Sequence, residues 1–287
     1  MGCRVRITLY CSNSEQGLEA ATKGFARLEA LDRELSDYLS TSHLSKINES
    51  AWQAPFLMQA DLGALLLRSL EIAEITDGAF DPAAGSLVAL WRFARQQGTL
   101  PSADAIRLAT ESAGIKNIAL SNEQRSVAFL HPHTKLDLGG IGKGYAADQA
   151  LLTLEQCGFD CALIDVGGDL ALGSAPPGQP GWRIQVPNVS GRGFTEFELT
   201  ECGIATSSDK HQNLKVSEAR FSHIVDPRTG QALVDAPQVT VIAEDAATAD
   251  ALASALSVSG SERASGPIKD LGARVVIFSM PSKALVR

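Results

Sequence analysis

A glycine-rich segment in the middle of the chain, DLGGIGKGYAAD at 137–148, limits the local backbone more than any other stretch. It follows a predicted strand and opens a predicted helix, and its four glycines let the backbone approach a ligand closely. The N-terminus of that helix offers free N–H groups to an anion, and Lys143 adds a positive charge in the same loop. The G-x-x-x-x-G-K-[ST] spacing of a Walker A loop is absent. The segment therefore predicts either an anion site or a tight strand-to-helix turn.

Charge and hydropathy exclude two classes of partner. The formal net charge of -8 and the lack of a polybasic run argue against a nucleic-acid ligand, since phosphate-backbone affinity depends on clustered Lys and Arg. No apolar stretch approaches the roughly 20 residues that a membrane span requires. With 45% hydrophobic residues in 287, the chain can bury a substantial core.

The hydrophobic pattern predicts helices and strands that do not alternate strictly. Helices are predicted over 14–35, 61–75, 102–113, 145–157, 246–258 and 262–271, and strands over 4–10, 118–120, 126–130, 161–166, 182–186, 194–199, 238–243 and 273–278. Asp61 is expected to cap the second helix, and Gly114 the C-terminus of the third. Several strands have the spacing of hairpin partners, which favours an α+β fold. We expect one compact domain over 1–287, with mixed, largely antiparallel strands and several packed helices.

Three further segments combine small residues with polar side chains. The sequence DVGGD at 165–169 follows a strand and predicts a turn, either solvated or packed against a ligand. Thr206 lies in ATSSD at 205–209, whose hydroxyls could serve polar groups of a ligand. His223 lies in SHIVDPRTG at 222–230, where a hydrogen-bonded core histidine is the alternative to a functional one.

Asp250 and Ser254 are four residues apart on a predicted helix of small apolar residues and therefore share one face. A carboxylate is costly to bury unpaired, so Asp250 in this setting indicates a nearby cation. A hard cation with oxygen ligands, such as Mg²⁺, suits these side chains better than zinc. The alternative is an aspartate near the start of a helix that is favoured by the helix dipole.

Taken in order, these segments resemble the ApbE family of FAD:protein FMN transferases, and the resemblance runs over nearly the whole chain. Eight matching segments in the family's order are improbable by chance. They are Met1-Gly2; Ser36, Asp37 and Tyr38 with Ser42, Ile47 and Asn48; GAFDP at 78–82 with Leu87 and Trp91; DLGGIGKGYAAD at 137–148; VGGD at 166–169; ATSSD at 205–209; SHIVDPRTG at 222–230; and ADALASAL at 249–256.

The resemblance implies a magnesium-dependent enzyme that transfers FMN from FAD to a Ser or Thr hydroxyl of an acceptor protein and releases AMP. His223, beside the scissile pyrophosphate, and Asp250 are the implied catalytic residues. Mg²⁺ would be held by the Gly140 carbonyl, Asp250 and Ser254. Contacts with the substrate FAD are implied for Met1, Tyr38, Ala79, Phe80, Asp81, Asp137, Lys143, Thr206, His223 and Ile224.

The sequence departs from the family pattern at several positions. Ser254 stands where threonine is usual and keeps the hydroxyl donor, whereas Ser208 replaces a glycine and brings a side chain close to the ligand. Cys3, Ala83 and Asp165 are the other departures. Two alternative functions stay open: an FAD pyrophosphatase, in which water replaces the acceptor, and a non-catalytic FAD-binding protein.

The compartment depends on the N-terminus. As written, the sequence has no charged segment followed by an apolar one, which indicates the cytoplasm. A trimmed signal would instead place the protein in the cell envelope or periplasm, as the resemblance implies.

Overall fold

The computed structural model describes residues 2–121, 123, 125–187, 193–208, 213–260 and 271–279. The helices in these ranges are α1 (Ser14–Leu35), α2 (His43–Ser50), α3 (Ala60–Ile75), α4 (Gly85–Gln97), α5 (Ala103–Ser112), α6 (Gly142–Gln156) and α7 (Ala246–Ser259), with a short 3-10 helix at Ile115–Asn117. The strands are β1 (Val5–Leu9), β2 (Phe56–Leu57), β3 (Ile118–Ser121), β4 (Ser126–Phe129), β5 (Ala162–Val166), β6 (Asp169–Leu172), β7 (Trp182–Pro187), β8 (Phe194–Leu199), β9 (Cys202–Ser207), β10 (Asn213–Val216), β11 (Ala219–Val225), β12 (Ala232–Val234), β13 (Gln238–Ala243) and β14 (Val275–Ser279).

A six-stranded sheet with the order β1-β5-β6-β9-β13-β14 forms the centre of the fold. Each neighbouring pair in it is antiparallel, and the smaller sheets β10-β11-β12, β2-β4-β3 and β7-β8 are antiparallel as well. Val166 pairs with Asp169, so β5 and β6 are joined by a two-residue turn. Its residues, Gly167 and Gly168, both have positive φ angles, as a tight hairpin turn requires. The predicted α+β class with largely antiparallel strands is confirmed.

Helices α6 and α7 pack against each other, and both contact the central sheet. Nearly every residue of α7 is buried, and most of them are alanine or another small residue. Small side chains allow α7 to lie close to β9, β13 and α6 at once. Polar groups on α7 are therefore enclosed by protein, which sets the environment of Asp250.

Gly144, Gly203 and Asp148 contact the N-terminus of α7 and determine its position. A Cβ atom on Gly144 would overlap the carbonyl of Ala246 and lie 2.7 Å from the nitrogen of Ala247, and a Cβ atom on Gly203 would overlap the Ala246 backbone. The carboxylate of Asp148 accepts N–H bonds from Ala246 and Ala247, both at 2.9 Å. Part of the glycine-rich segment thus serves helix packing, with Gly144 facing α7.

Replacing Gly144 by alanine is expected to lower the free energy of unfolding by about 3 kcal/mol, because the added methyl group meets backbone atoms that have no room to move. Gly142→Ala is the matched control, since nothing lies within 4 Å of its Cβ position. Thermal and denaturant unfolding of the two variants measure the difference. Equal stability of both variants would contradict the close seating of α7.

Most predicted elements are present, and three local predictions need comment. Asp61 does not cap α3, because the capping position is Gln59 and Asp61 lies in the first turn, where it pairs with Arg27. Gly114 does not occupy the C-cap of α5, which is Ala113. The helix predicted over 262–271 lies outside the described residues except for its last position. Among the described residues, no helix combines the length and apolarity that a membrane crossing needs.

Candidate functional site

Three charged side chains from distant parts of the chain meet in a cluster of two buried carboxylates and one partly buried lysine. Lys143 lies in the first turn of α6, Asp169 is the first residue of β6, and Asp250 lies on α7. The Lys143 ammonium forms an ion pair with Asp169 Oδ2 and lies 3.4 Å from each carboxylate oxygen of Asp250. Only 2% of Asp169 and 6% of Asp250 is exposed. The structure thus brings the predicted residues Lys143 and Asp250 together.

The cluster carries more negative than positive charge. Burial lowers the pKa of Lys143, but the carboxylates of Asp250 and Asp169 outweigh that effect and raise it above its ordinary value. Burial and the charge of Asp250 raise the pKa of Asp169, against the opposing effect of Lys143. Among the described residues, the contacts of Asp250 besides those with Lys143 are limited to a 3.3 Å bond from the Gly144 N–H. Each of these contacts is longer than the usual 2.9–3.0 Å, so the Asp250 carboxylate is weakly satisfied and suited to a further cation.

Gly140 and Ser254 lie next to each other beside this cluster. A Cβ atom on Gly140 would be 3.0 Å from Ser254 Oγ and 3.4 Å from Phe80 Cε2, so a side chain there would require these neighbours to shift by a few tenths of an ångström. In the described residues, no group of three or more His, Cys, Asp or Glu side chains is arranged to hold a metal ion. The set implied for Mg²⁺ consists instead of one carboxylate, one hydroxyl and one backbone carbonyl. Its oxygen chemistry fits a hard cation that retains several water ligands.

A second charged cluster lies at the other end of the 137–143 loop. The Arg92 guanidinium bonds Asp37 Oδ2 at 2.6 Å, lies 3.8 Å from Asp137 Oδ2 and stacks 4.5 Å from the centre of the Tyr38 ring. Asp137 also accepts the Gly139 N–H at 2.7 Å. Burial and the nearby Asp37 raise the pKa of Asp137. Tyr38 is 67% exposed, so its ring and Arg92 form a surface on which a planar ligand can stack.

The N-terminal residues and Thr206 also lie at the Lys143 cluster. The Cβ position of Gly167 is 3.1 Å from Cys3 Sγ and 3.8 Å from Lys143 Cδ. Burial raises the pKa of the Cys3 thiol. The Thr206 N–H donates to Asp169 Oδ1 at 3.4 Å, and the Thr206 hydroxyl pairs with the Thr240 hydroxyl at 2.9 Å. Met1, an implied FAD contact, lies outside the described residues.

His223 and Ile224 are half-buried on β11, which packs against α4 and α7. The turn that follows β11 is held firmly by local bonds, since Arg228 donates three hydrogen bonds to Asp226. Trp91 Nε1 donates to the Gly230 carbonyl at 2.9 Å, which ties the same turn to α4. The strand end that carries His223 is therefore rigid. The catalytic role of His223 stays a prediction.

The GAFDP segment at 78–82 is a tightly bonded turn. Both Asp81 oxygens accept backbone N–H bonds, one from Ala83 at 2.7 Å and one from Ile115 at 3.1 Å, and burial raises the pKa of Asp81. Ala79 and Phe80 are only 3% and 6% exposed. The Phe80 ring lies beside Gly140, so this turn packs against the 137–143 loop. Direct contact of these three residues with FAD stays a prediction.

The structure adds two charged residues to which the sequence assigns no role, Asp169 in the Lys143 cluster and Arg92 in the cluster with Asp137. In the sequence, Asp169 is recognisable only as the last residue of the VGGD turn. Arg92 lies on α4, where the sequence pattern predicts no helix. The single available signal was a carboxylate directly after a Gly-Gly turn that follows a buried strand. The ion pairs of Asp169 with Lys143 and of Arg92 with Asp37 join residues far apart in the chain, so the sequence pattern does not predict them.

The model of the ApbE family matches residues 1–277 of this chain. The FAD:protein FMN transferase of Treponema pallidum (strain Nichols) is 31% identical over 302 residues, covering 98% of this chain and 82% of that protein. The FAD:protein FMN transferase of Escherichia coli (strain K12) is 30% identical over 288 residues, covering 97% of this chain and 82% of that protein.

Solved structures give the same result. The crystal structure of the ApbE protein from Thermotoga maritima superimposes with a TM-score of 0.83 at 30% identity, covering 97% of this chain and 91% of that chain. The flavin transferase ApbE from Vibrio cholerae gives a TM-score of 0.80 at 26% identity, covering 97% of this chain and 94% of that chain.

Proposed function

The chain belongs to the ApbE family, and from this premise we propose that it transfers FMN from FAD to a Ser or Thr hydroxyl of an acceptor protein, with Mg²⁺, and releases AMP. The names of its relatives support flavin transfer. The buried Lys143–Asp169–Asp250 cluster is the observation that supports metal-assisted cleavage of a diphosphate. Its excess negative charge and weakly bonded Asp250 suit a divalent cation, and its ammonium suits a phosphate oxygen.

The two clusters suit two parts of FAD. The exposed Tyr38 ring and the Arg92 guanidinium offer a stacking surface for an aromatic ring. The 137–143 loop connects this surface to Lys143, so a ligand that stacks on Tyr38 can extend its diphosphate toward the buried cluster. Because FAD carries aromatic rings at both ends of a diphosphate, it fits such an arrangement.

In the proposed reaction, the acceptor hydroxyl oxygen attacks the phosphorus on the FMN side of the diphosphate. The new P–O bond joins FMN to the acceptor, and the P–O bond to the AMP half breaks with its electron pair staying on AMP. The hydroxyl proton passes to His223, whose ordinary pKa suits proton transfer near neutral pH. Lys143 neutralises charge on the diphosphate oxygens. Bound at Gly140, Asp250 and Ser254, Mg²⁺ would supply further positive charge to those oxygens.

The direct test of metal-assisted cleavage is AMP release. The protein is incubated with FAD, Mg²⁺ and candidate acceptors, and AMP is quantified by chromatography with and without EDTA. We expect AMP with Mg²⁺ and none with EDTA. No AMP under either condition would favour a non-catalytic FAD-binding protein, and equal AMP under both would remove the metal from the proposal.

Replacing Lys143 by alanine is expected to weaken FAD binding by one to two orders of magnitude, about 1–3 kcal/mol, because a charge-assisted contact with the diphosphate is lost. The affinity is measured by calorimetry in EDTA, so that changes in metal binding do not contribute. Lys23→Ala is the control, since Lys23 is an exposed lysine paired with Glu19. Unchanged affinity of the Lys143 variant would remove this residue from the FAD site.

A further inference from the structure

We propose that Asp169 is a positioning residue that holds the Lys143 ammonium away from Asp250 and so leaves the Asp250 carboxylate for a divalent cation. The inference rests on the proposed metal site, and it assigns to Asp169 a role that neither the sequence motifs nor the metal ligand set includes.

The contacts of Lys143 are unequal. Its ammonium forms the close ion pair with Asp169, whereas both oxygens of Asp250 are 3.4 Å away. The two carboxylates are similarly buried, so the difference does not come from solvent access. Asp169 is thus the principal partner of Lys143. Within the described part of the chain, the hydrogen bonds that Asp250 accepts are all long, at 3.3–3.4 Å.

The backbone of Asp169 has a fixed position in the central sheet. It directly follows the two-residue Gly167-Gly168 turn and pairs with Val166 across the hairpin. The Thr206 N–H from the neighbouring β9 donates to Asp169 Oδ1, which leaves Oδ2 for Lys143. A carboxylate whose backbone lies in the central sheet can anchor a flexible lysine side chain through its free oxygen.

The net charge of the Lys143–Asp169–Asp250 cluster predicts how each variant changes the affinity for a cation. With both carboxylates ionised, the two carboxylates and one ammonium give the cluster a net charge of -1, from -2 and +1. In Asp169→Asn the net charge becomes 0, and Lys143 is left with Asp250 as its one ionised partner in the cluster. Both changes oppose a divalent cation at Asp250. In the double variant Asp169→Asn with Lys143→Met, the lysine charge is gone as well, and the net charge returns to -1.

The experiment titrates Mg²⁺ alone into the FAD-free protein by calorimetry at one pH near neutrality. We expect Asp169→Asn to bind Mg²⁺ at least about 10-fold more weakly than the wild type, because the loss of one unit charge a few ångströms from a divalent cation implies that much even at the dielectric constant of water. We expect the double variant to recover most of that loss. Asp165→Asn is the matched control, since Asp165 lies in the same hairpin but bonds Gly168 and Arg6 on the outside. It should bind Mg²⁺ as the wild type does.

A purely structural role for Asp169 gives a different pattern. Asp169→Asn would then lose thermal stability, and removal of Lys143 would not restore Mg²⁺ affinity. That outcome, or wild-type affinity in Asp169→Asn, would overturn the inference. If the wild-type protein itself binds no Mg²⁺, the proposed metal site fails and the positioning role of Asp169 fails with it. If the wild-type protein binds Mg²⁺ and Asp169→Asn binds it equally well, only the positioning role is excluded.

Discussion

Asp250→Ala is expected to reduce AMP release from FAD by about 10³-fold or more at ordinary Mg²⁺ concentrations. The variant loses the single carboxylate of the proposed ligand set, and charge stabilisation by a metal ion contributes several kcal/mol to the transition state of such a reaction. It also leaves Lys143 with Asp169 as its remaining carboxylate partner in the cluster. The measurement is the initial rate of AMP formation across a series of Mg²⁺ concentrations.

Two further variants complete this test. Ser254→Thr keeps the hydroxyl donor and adds one methyl group, so we expect it to retain activity. Asp245→Asn is the control. It changes the carboxylate that caps α7 by accepting the Thr248 N–H, and an asparagine can keep that bond. Full activity of Asp250→Ala in EDTA would exclude Asp250 as a metal ligand. A large loss in Ser254→Thr would show that the site is shaped specifically around serine.

His223→Ala is expected to cut turnover by roughly 10²–10⁴ while FAD affinity stays within a few fold. A base that takes the acceptor proton acts in the chemical step, so its loss should affect turnover and spare binding. FAD affinity, turnover and thermal unfolding are measured on this one variant. His133→Ala, at an exposed position, is the control.

The three measurements separate three roles of His223. If affinity and turnover fall together, the imidazole contacts the diphosphate. If the melting temperature falls and both functions are impaired, His223 is a core residue of β11. Only a turnover loss with preserved affinity and stability supports its role as the base.

The sequence predicted the parts of the fold that carry a clear pattern. The predicted bounds of α1, β8 and β13 agree with Ser14–Leu35, Phe194–Leu199 and Gln238–Ala243. In α1, six buried residues recur at helical spacing and Asn13 caps the start through two N–H bonds. Long periodic segments with defined ends are the easiest to predict.

The missed elements lack such signals. Helix α4 starts at Gly85 without a side-chain capping bond, so nothing in the sequence marks its beginning. Strand β9, Cys202–Ser207, is buried through its first four residues and therefore shows no alternation. Strand β6 directly follows a Gly-Gly turn, and the sequence pattern predicts only the turn there.

The candidate site, like the fold, is predicted by the sequence only in part. Asp250, Ser254 and Lys143 were predicted because a carboxylate among alanines and a lysine among glycines conflict with local expectations. The structure adds the close approach of Gly140 to Ser254 and the seating of α7 on Gly144. Asp169 and Arg92 were missed because their roles come from partners distant in the chain, which only the folded sheet and the packed helices bring together.

We propose that this chain moves FMN from FAD onto a protein hydroxyl. Mass spectrometry of the acceptor after incubation with the enzyme, FAD and Mg²⁺ tests it most directly, with AMP quantified in the same sample. We predict that the acceptor gains the mass of FMN less one water, on a Ser or Thr, with one AMP released for each adduct. AMP and free FMN with an unmodified acceptor would contradict the claim and identify the protein as an FAD pyrophosphatase.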